Sequence, residues 1–249
     1  MAQPSILAEL PNYTREAIRF YWETRSKQSL KQRAAGGSDQ GLRSAVTGGA
    51  HMNGFIELLT KLVIEAGIDR SHIYYDQSLE LPGYFRPNKK WDFIVVVNSQ
   101  LVAALESKSQ VGPSFGNNFN NRTEEAMGSA LDLWTAFREN AFGSATRPWI
   151  GYMFLLEDCP RSTTPVSVKE PHFKVFPEFQ GSSYAKRYEL FCRRLVLEKH
   201  YDKSAFLMSN PEKGSNGHYS EPAPDLTFQG FANSLVAHVA AFSGRIKEL

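Results

Sequence analysis

Three residues in the first half of the chain have types and a spacing suited to metal-assisted chemistry on a phosphate: Asp92, Glu106 and Lys108. Asp92 opens the apolar run FIVVV, and Glu106 and Lys108 close the run LVAALESK. Side chains alternate along a strand, so Glu106 and Lys108 project to one face while Ser107 points away. Glu106 follows Asp92 by 14 positions (106 − 92). That separation suits two antiparallel strands joined by a tight turn at Asn98-Ser99-Gln100, and it brings the two carboxylates together. Like charges in a partly buried place repel unless a cation lies between them, and magnesium, a hard ion that takes oxygen donors and keeps several waters, meets that demand. Such an ion polarises a phosphoryl oxygen, lowers the pKa of an attacking water and stabilises the leaving oxygen. A Lys108 ammonium beside it neutralises developing charge or holds the water in line. Glu57, on a helix ahead of the hairpin, is a further carboxylate for the metal; the plain alternative is a solvent-facing partner of Lys61 at i+4.

Acid-x-Lys alone is a common triplet, and a salt-bridged pair on an exposed edge strand would explain it. What distinguishes this one is its surroundings: both charges end an apolar strand that neighbours another apolar strand, where a core meets a cleft. Other catalytic signatures are missing from the sequence. It has no GxxxxGK[ST] phosphate loop, no GxGxxG after a strand, no HExxH and no GxSxG, and its six histidines lack metal-ligand spacing. His51 reads as a loop residue in a Gly-rich stretch.

The elements that must position these residues can be read from periodicity. Residues Asn12 to Leu30 are compatible with an amphipathic helix, and Phe55 to Ala66 (FIELLTKLVIEA) with another, capped at its C-terminus by Gly67. Between them, Ala34 to Gly54 is Gly- and Ser-rich and reads as loop. A turn-rich approach, LPGYFRPNKK, leads into the hairpin. Asn117 to Asn121 read as a polar loop, followed by a helix from Thr123 to Asn140 capped by Thr123 or Asn121. Trp149 to Leu156 (WIGYMFLL) is a strand without alternation, hence covered on both faces. After a Pro- and Ser-rich stretch from Pro160 to Pro177, helical periodicity returns at Tyr184 to His200 and Leu226 to Arg245. Trp22, Trp134 and Trp149 fall on apolar faces and read as core. The expected fold is mixed α/β (α+β), a central mixed sheet flanked by helices, built as one elaborated domain over residues 1–249.

Length and composition agree with that expectation and exclude several classes. The 249 residues are 42% hydrophobic and 22% charged, which rules out a disordered or collagen-like chain. A net charge of +2 announces no nucleic-acid partner, so any basic surface must be local. Cys159 and Cys192 form neither a disulfide framework nor a CxxC zinc site, and read as reduced thiols. No apolar run is long enough to span a membrane, and the N-terminal residues carry no apolar signal core, so the expected location is the cytoplasm.

Asp92 followed by Glu106-x-Lys108 after a hydrophobic strand resembles the PD-(D/E)xK nuclease superfamily, with Trp91 standing where the motif has proline. The stretch from Lys89 to Trp134 resembles type II restriction endonucleases, and the chain as a whole is similar to the XhoI family. The segment from Ser109 through NNFNNRTEEAMG is the most specific part of that likeness. The resemblance implies a restriction-endonuclease-like fold and a homodimer acting on double-stranded DNA at the palindrome CTCGAG, cut after the first C to leave four-base 5′ overhangs. It also implies a cognate DNA methyltransferase that protects the host genome. A two-fold site suits a two-fold protein. For reading bases or phosphates, Arg43, Asn117, Asn118, Asn121 and Arg122 have suitable donors, with turn and capping chemistry as the alternative for the asparagines. Lys89 and Lys90 lie just before Asp92 and can approach backbone phosphates, or simply solvate a hairpin end. Two rival readings are a PD-(D/E)xK nuclease of repair or recombination, and a non-cleaving DNA-binding protein on a nuclease-like fold.

Overall fold

A computed structural model describes residues 5–34, 50–143 and 146–247. Helix α1 spans Leu10–Ala34, and after a 3-10 turn at Ala50–Met52 helix α2 spans Asn53–Glu65. Short strand β1, Ile73–Tyr74, is followed by the two-stranded pair β2, Glu80–Pro82, and β3, Asn88–Lys90. The long hairpin then runs through β4, Phe93–Val97, and β5, Gln100–Gln110. Helix α3, Phe115–Arg138, leads to β6, Trp149–Glu157. Helix α4, Tyr184–Leu197, leads to β7, Lys203–Ser209, and helix α5, Phe228–Lys247, closes the fold.

Five strands form one sheet in the order β1-β4-β5-β6-β7. β1, β4 and β5 pair antiparallel, whereas β5, β6 and β7 run parallel. The expected mixed sheet is therefore central, and helices cover both faces. Phe93, Val95, Leu105, Met153 and Leu207 meet α1, α2 and α5 on one side. Ile94, Ala104, Tyr152, Phe154 and Phe206 meet α3 and α4 on the other. Both-sided burial explains why FIVVV and WIGYMFLL show no alternation.

The hairpin turn is tighter than the three residues read from the sequence. Asn98 and Ser99 both take positive φ, 50° and 61°, the two-residue type I′ geometry that matches strand twist. Gly67 follows α2 with φ 99°, as expected of a helix terminator.

Three expectations change. Asn117, Asn118 and Asn121 do not lie in a loop, because α3 begins at Phe115 with Ser114 as its N-cap and neither Asn121 nor Thr123 caps it. The reason is packing: Phe115 stacks on Tyr184, and Phe119 sits edge-on to Tyr188 and Phe191. Aromatic anchors four residues apart outweigh the weak helix propensity of asparagine. Strand β7 (KSAFLMS) is a seven-residue, largely apolar run that periodicity alone leaves unassigned. The turn-rich approach contains the ordered pair β2 and β3. The tryptophans read as core are core: Trp22 and Trp149 are buried, and Trp134 packs against the α3–α4 side. Cys159 and Cys192 are free thiols.

Gly151 on β6 shows how closely the central strand is packed, since a methyl group there would lie 2.4 Å from the Trp149 ring and 2.7 Å from Phe231. Gly151→Ala is expected to cost roughly 1–3 kcal/mol by overpacking, seen as a lower urea midpoint with an unchanged slope.

Candidate active site

Asp92 stands one residue before β4, fixed by two backbone contacts. Its own amide donates to the Leu105 carbonyl at 3.2 Å, and its Oδ2 accepts from the Ser107 amide at 2.8 Å. Because Phe93 pairs with Leu105, the side chain of Asp92 is set against the end of β5 that carries Glu106 and Lys108. The Lys108 Nζ lies 2.8 Å from Glu106 Oε1 and 3.3 Å from Asp92 Oδ2. Both carboxylates thus converge on one ammonium.

A second ammonium completes the arrangement: Lys89 Nζ, on β3, is 2.7 Å from Glu106 Oε2 and 4.5 Å from the centre of the Trp91 ring. The Glu106 side chain is only 4% exposed. Burial alone would raise its pKa, but the charges of Lys108 and Lys89 hold it below the usual carboxylate range. Burial likewise opposes charge on Lys108, yet Glu106 and Asp92 hold its pKa above the ordinary lysine value. Lys108 is therefore a permanent cation and hydrogen-bond donor at neutral pH, suited to orienting and stabilising negative oxygen rather than to accepting a proton.

These groups sit at the meeting of two clefts that share Lys90, Lys108 and Arg122. One, of about 490 Å³, is bounded by His51, Asn53, Asp76 and Asp92. The other, of about 430 Å³, is bounded by Arg86, Lys89 and Glu106. The donor set fits a hard divalent cation: Asp92 and Glu106 supply carboxylate oxygens that already focus on one positive group. No group of three or more His, Cys, Asp or Glu side chains among the described residues is placed to hold a metal. A cation here would draw two carboxylates from the protein and the rest of its shell from water and phosphate, the pattern usual for magnesium.

Glu57 does not join them. It lines a different groove with Tyr13, Glu16 and Lys61, while its neighbour Ile56 faces the Asp92 cleft; one step along a helix turns a side chain by roughly 100°. Among the residues expected from the sequence to contact DNA, Arg122 lines both clefts and pairs with Glu125 at 2.6 Å. Lys90 is exposed and also borders both. Lys89 is ion-paired rather than free. Asn117 lines a separate hollow with Arg161 and Tyr184, and neither Asn118 nor Asn121 is among the residues bounding the two clefts. Arg43 lies outside the described residues.

Three cleft residues escape a sequence reading: Asn53, Asp76 and His51. His51 is no surface loop residue. It is buried in the 3-10 turn ahead of α2, with Nε2 3.0 Å from the Ser109 hydroxyl and its ring edge-on to Tyr21. Its only sequence signal was proximity to the start of an apolar helix.

Comparison with known proteins decides the family. The profile described as "Restriction endonuclease XhoI" matches residues 31–221. The chain belongs to the XhoI restriction endonuclease family. A type II restriction enzyme of Geobacillus stearothermophilus, BstVI, is 56% identical over 211 residues, 83% of this chain and 94% of that protein. The type II restriction enzyme XhoI of Xanthomonas vasicola is 44% identical over 196 residues, 77% of each chain. AbrI of Azospirillum brasilense, also a type II restriction enzyme, is 48% identical over 169 residues, 68% of this chain and 76% of that one. No solved structure matches.

As an XhoI-family chain this is a type II restriction endonuclease, a nuclease acting on double-stranded DNA. Its mixed sheet between helices accords with a restriction-endonuclease-like fold. Among the described residues no helix is long and apolar enough to cross a membrane.

Burial, helped by the positive charges of Arg25 and Arg122, pushes the His51 pKa down to about 4. Since the folded value lies below the ordinary histidine value of 6.5, His51 contributes stability that is complete above the unfolded pKa and lost as pH falls toward 4. The loss reaches up to about 3 kcal/mol at 1.36 kcal/mol per unit. Urea titrations between pH 7 and pH 4 are expected to show this slope in the wild-type protein and a flatter one in His51→Gln.

Proposed function

We propose that the chain is a magnesium-dependent endonuclease whose reaction centre is Asp92, Glu106 and Lys108, with Asp92 and Glu106 holding the metal. One observation carries this reading: two carboxylates from adjacent strands converge on a single ammonium where two basic-edged clefts meet. Magnesium held by Asp92 and Glu106 would supply Lewis acidity toward the phosphoryl oxygens and lower the pKa of the attacking water. The protein's own part is orientation and charge. The Ser107 amide fixes one Asp92 oxygen and leaves Oδ1 for the cleft. Lys108, protonated throughout the neutral range, donates to the water or to the non-bridging oxygens as negative charge builds on the oxygens around the phosphorus. Lys90 and Arg122 border both clefts and provide positive charge for the flanking phosphates.

We further propose, from the family likeness, that the target is CTCGAG cut after the first C to leave four-base 5′ overhangs. The chain acts as a homodimer of single-domain protomers in the cytoplasm, and a cognate methyltransferase protects the host DNA. A palindromic duplex presents the same half-site twice, so two protomers related by a two-fold axis can each cut one strand.

Digestion of a plasmid with one CTCGAG site, in magnesium and in EDTA, followed by sequencing of the ends, tests the reading. Metal-dependent linearisation at that site with a four-base 5′ overhang is expected. Cleavage elsewhere would keep the nuclease and discard the target.

Asp92→Ala and Glu106→Ala are expected to abolish cleavage with the fold retained by circular dichroism; a variant cutting at near wild-type rate removes that residue from the centre. Lys108→Ala is expected to lose turnover by at least about 100-fold while a gel shift in calcium still shows specific binding. Loss of specific binding in that assay would end its catalytic assignment.

A further inference from the structure

The segment joining β2 to β3 presents two large aromatic rings to solvent. Tyr84 is 55% and Phe85 67% exposed, and the rings meet edge to face with centroids 5.1 Å apart. Exposed aromatics on a loop are commonly mobile, but these are held from below. Asp132, a buried residue of α3, accepts from the Tyr84 amide at 2.7 Å and the Phe85 amide at 2.8 Å through Oδ1. Its Oδ2 accepts from Arg86 Nε at 2.7 Å. One carboxylate thus satisfies two consecutive backbone donors and a guanidinium, and these bonds hold its pKa below the usual range although burial opposes them. Gly83 permits the close approach, for a Cβ there would sit 2.5 Å from Asp132 Oδ2 and 2.6 Å from the Arg86 carbonyl.

The position of this tip gives it a partner. Arg86, next in the chain, lines the cleft that holds Glu106 and Lys108, together with Lys89, Lys90 and Arg122. The other strand of the same pair, β3, carries Lys89 onto Glu106 at 2.7 Å. A polyanion seated across Lys108 therefore runs along the cationic edge formed by Arg86 and Lys90, and the aromatic pair occupies the two chain positions before Arg86. A rigid aromatic pair beside a phosphate track suits sugar and base faces, which offer apolar and π contacts without charge.

We infer that Tyr84 and Phe85 form a preorganised apolar contact with the DNA duplex next to the cleaved phosphate. The inference rests on the reading of Asp92, Glu106 and Lys108 as the reaction centre. Contact through rings releases no counterions, whereas contact through a lysine does. The pair therefore contributes affinity that is independent of salt, and Asp132 is the positioning residue that makes the contact available without ordering the loop on binding.

The test measures binding of a short duplex carrying CTCGAG, in calcium, across a series of salt concentrations. Tyr84→Ala/Phe85→Ala is expected to weaken binding about tenfold or more with the slope of log affinity against log salt unchanged. Lys90→Ala is expected to reduce that slope by about one. Tyr84→Phe, which keeps the ring, should bind as the wild type does, and sedimentation should give all variants the same oligomeric state. Wild-type binding that the double variant reproduces overturns the inference while leaving the nuclease reading intact. An affinity loss accompanied by a change in oligomeric state also overturns it, by assigning the tip to a subunit contact. Absence of CTCGAG binding by the wild type would discard that target, and the salt series is then read on the duplex that the enzyme cuts, where wild-type binding by the double variant again overturns the inference.

Discussion

The distances among Asp92, Glu106 and Lys108 depend on the register of the β4–β5 hairpin. Ile94 faces Ala104 and Val95 faces Ala103, but beyond a bulge Val96 faces Leu101. The extra residue in β5 is absorbed there, between the I′ turn and the charges. Had the register slipped by one position along the whole hairpin, Glu106 and Lys108 would point to the opposite face of the sheet. The turn supplies the local constraint through two positive φ values. The both-sided apolar core supplies the other, since a slipped strand would exchange residues between two packed layers.

That register places a carboxylate where burial alone would keep it protonated. Glu106 stays ionised because an ammonium meets each of its oxygens. A buried ion pair costs desolvation on both partners, and removing one partner from such a pair typically loses about 3–5 kcal/mol. Charge on Glu106, Lys89 and Lys108 is thus interdependent, with Asp92 tied in through Lys108 and the Ser107 amide. Retaining so expensive a cluster at the edge of a well-packed sheet makes sense where the negative oxygens and positive nitrogens face a phosphate. It would make little sense in a purely structural strand end, where apolar side chains would pack better.

How much of this was legible in the sequence follows from which signals are local. The hairpin was readable because apolar runs flank a polar turn, and the Asp92–Glu106–Lys108 constellation followed from alternation along its strands. The N-terminal half of α3 was not, because NNFNN has loop composition and the fact that anchors it, Phe115 and Phe119 against Tyr184, Tyr188 and Phe191, is tertiary. Strand β7 escaped because a short apolar run has the same appearance in a buried strand and a buried helix. Glu57 was left between a metal-side and a solvent-side reading for another reason: its helix was recognised, but which face of α2 turns to the sheet is settled by packing against α1 and α5, and the face toward the Asp92 cleft carries Ile56 while Glu57 lies in a groove with Lys61. His51 and Asp76 lie in the cleft through chain paths that no periodicity encodes.

Two buried carboxylates on the same side of the sheet show how the fold divides its work. Glu106 is neutralised by side-chain ammoniums, groups on flexible stems that can shift toward a phosphate. Asp132 is satisfied chiefly by backbone amides and a guanidinium, a set that fixes geometry and has little freedom to rearrange. The β2–β3 pair connects them, with its tip held by Asp132 and its second strand tied to Glu106 through Lys89. Since Glu80 pairs with Lys90 and Leu81 with Lys89, displacing the tip must strain either the short ladder or the Lys89–Glu106 contact. The small hairpin that the sequence presents as a turn-rich approach is for this reason a mechanical part of the proposed centre: it joins an anchor on α3 to a buried carboxylate held by two side-chain ammoniums.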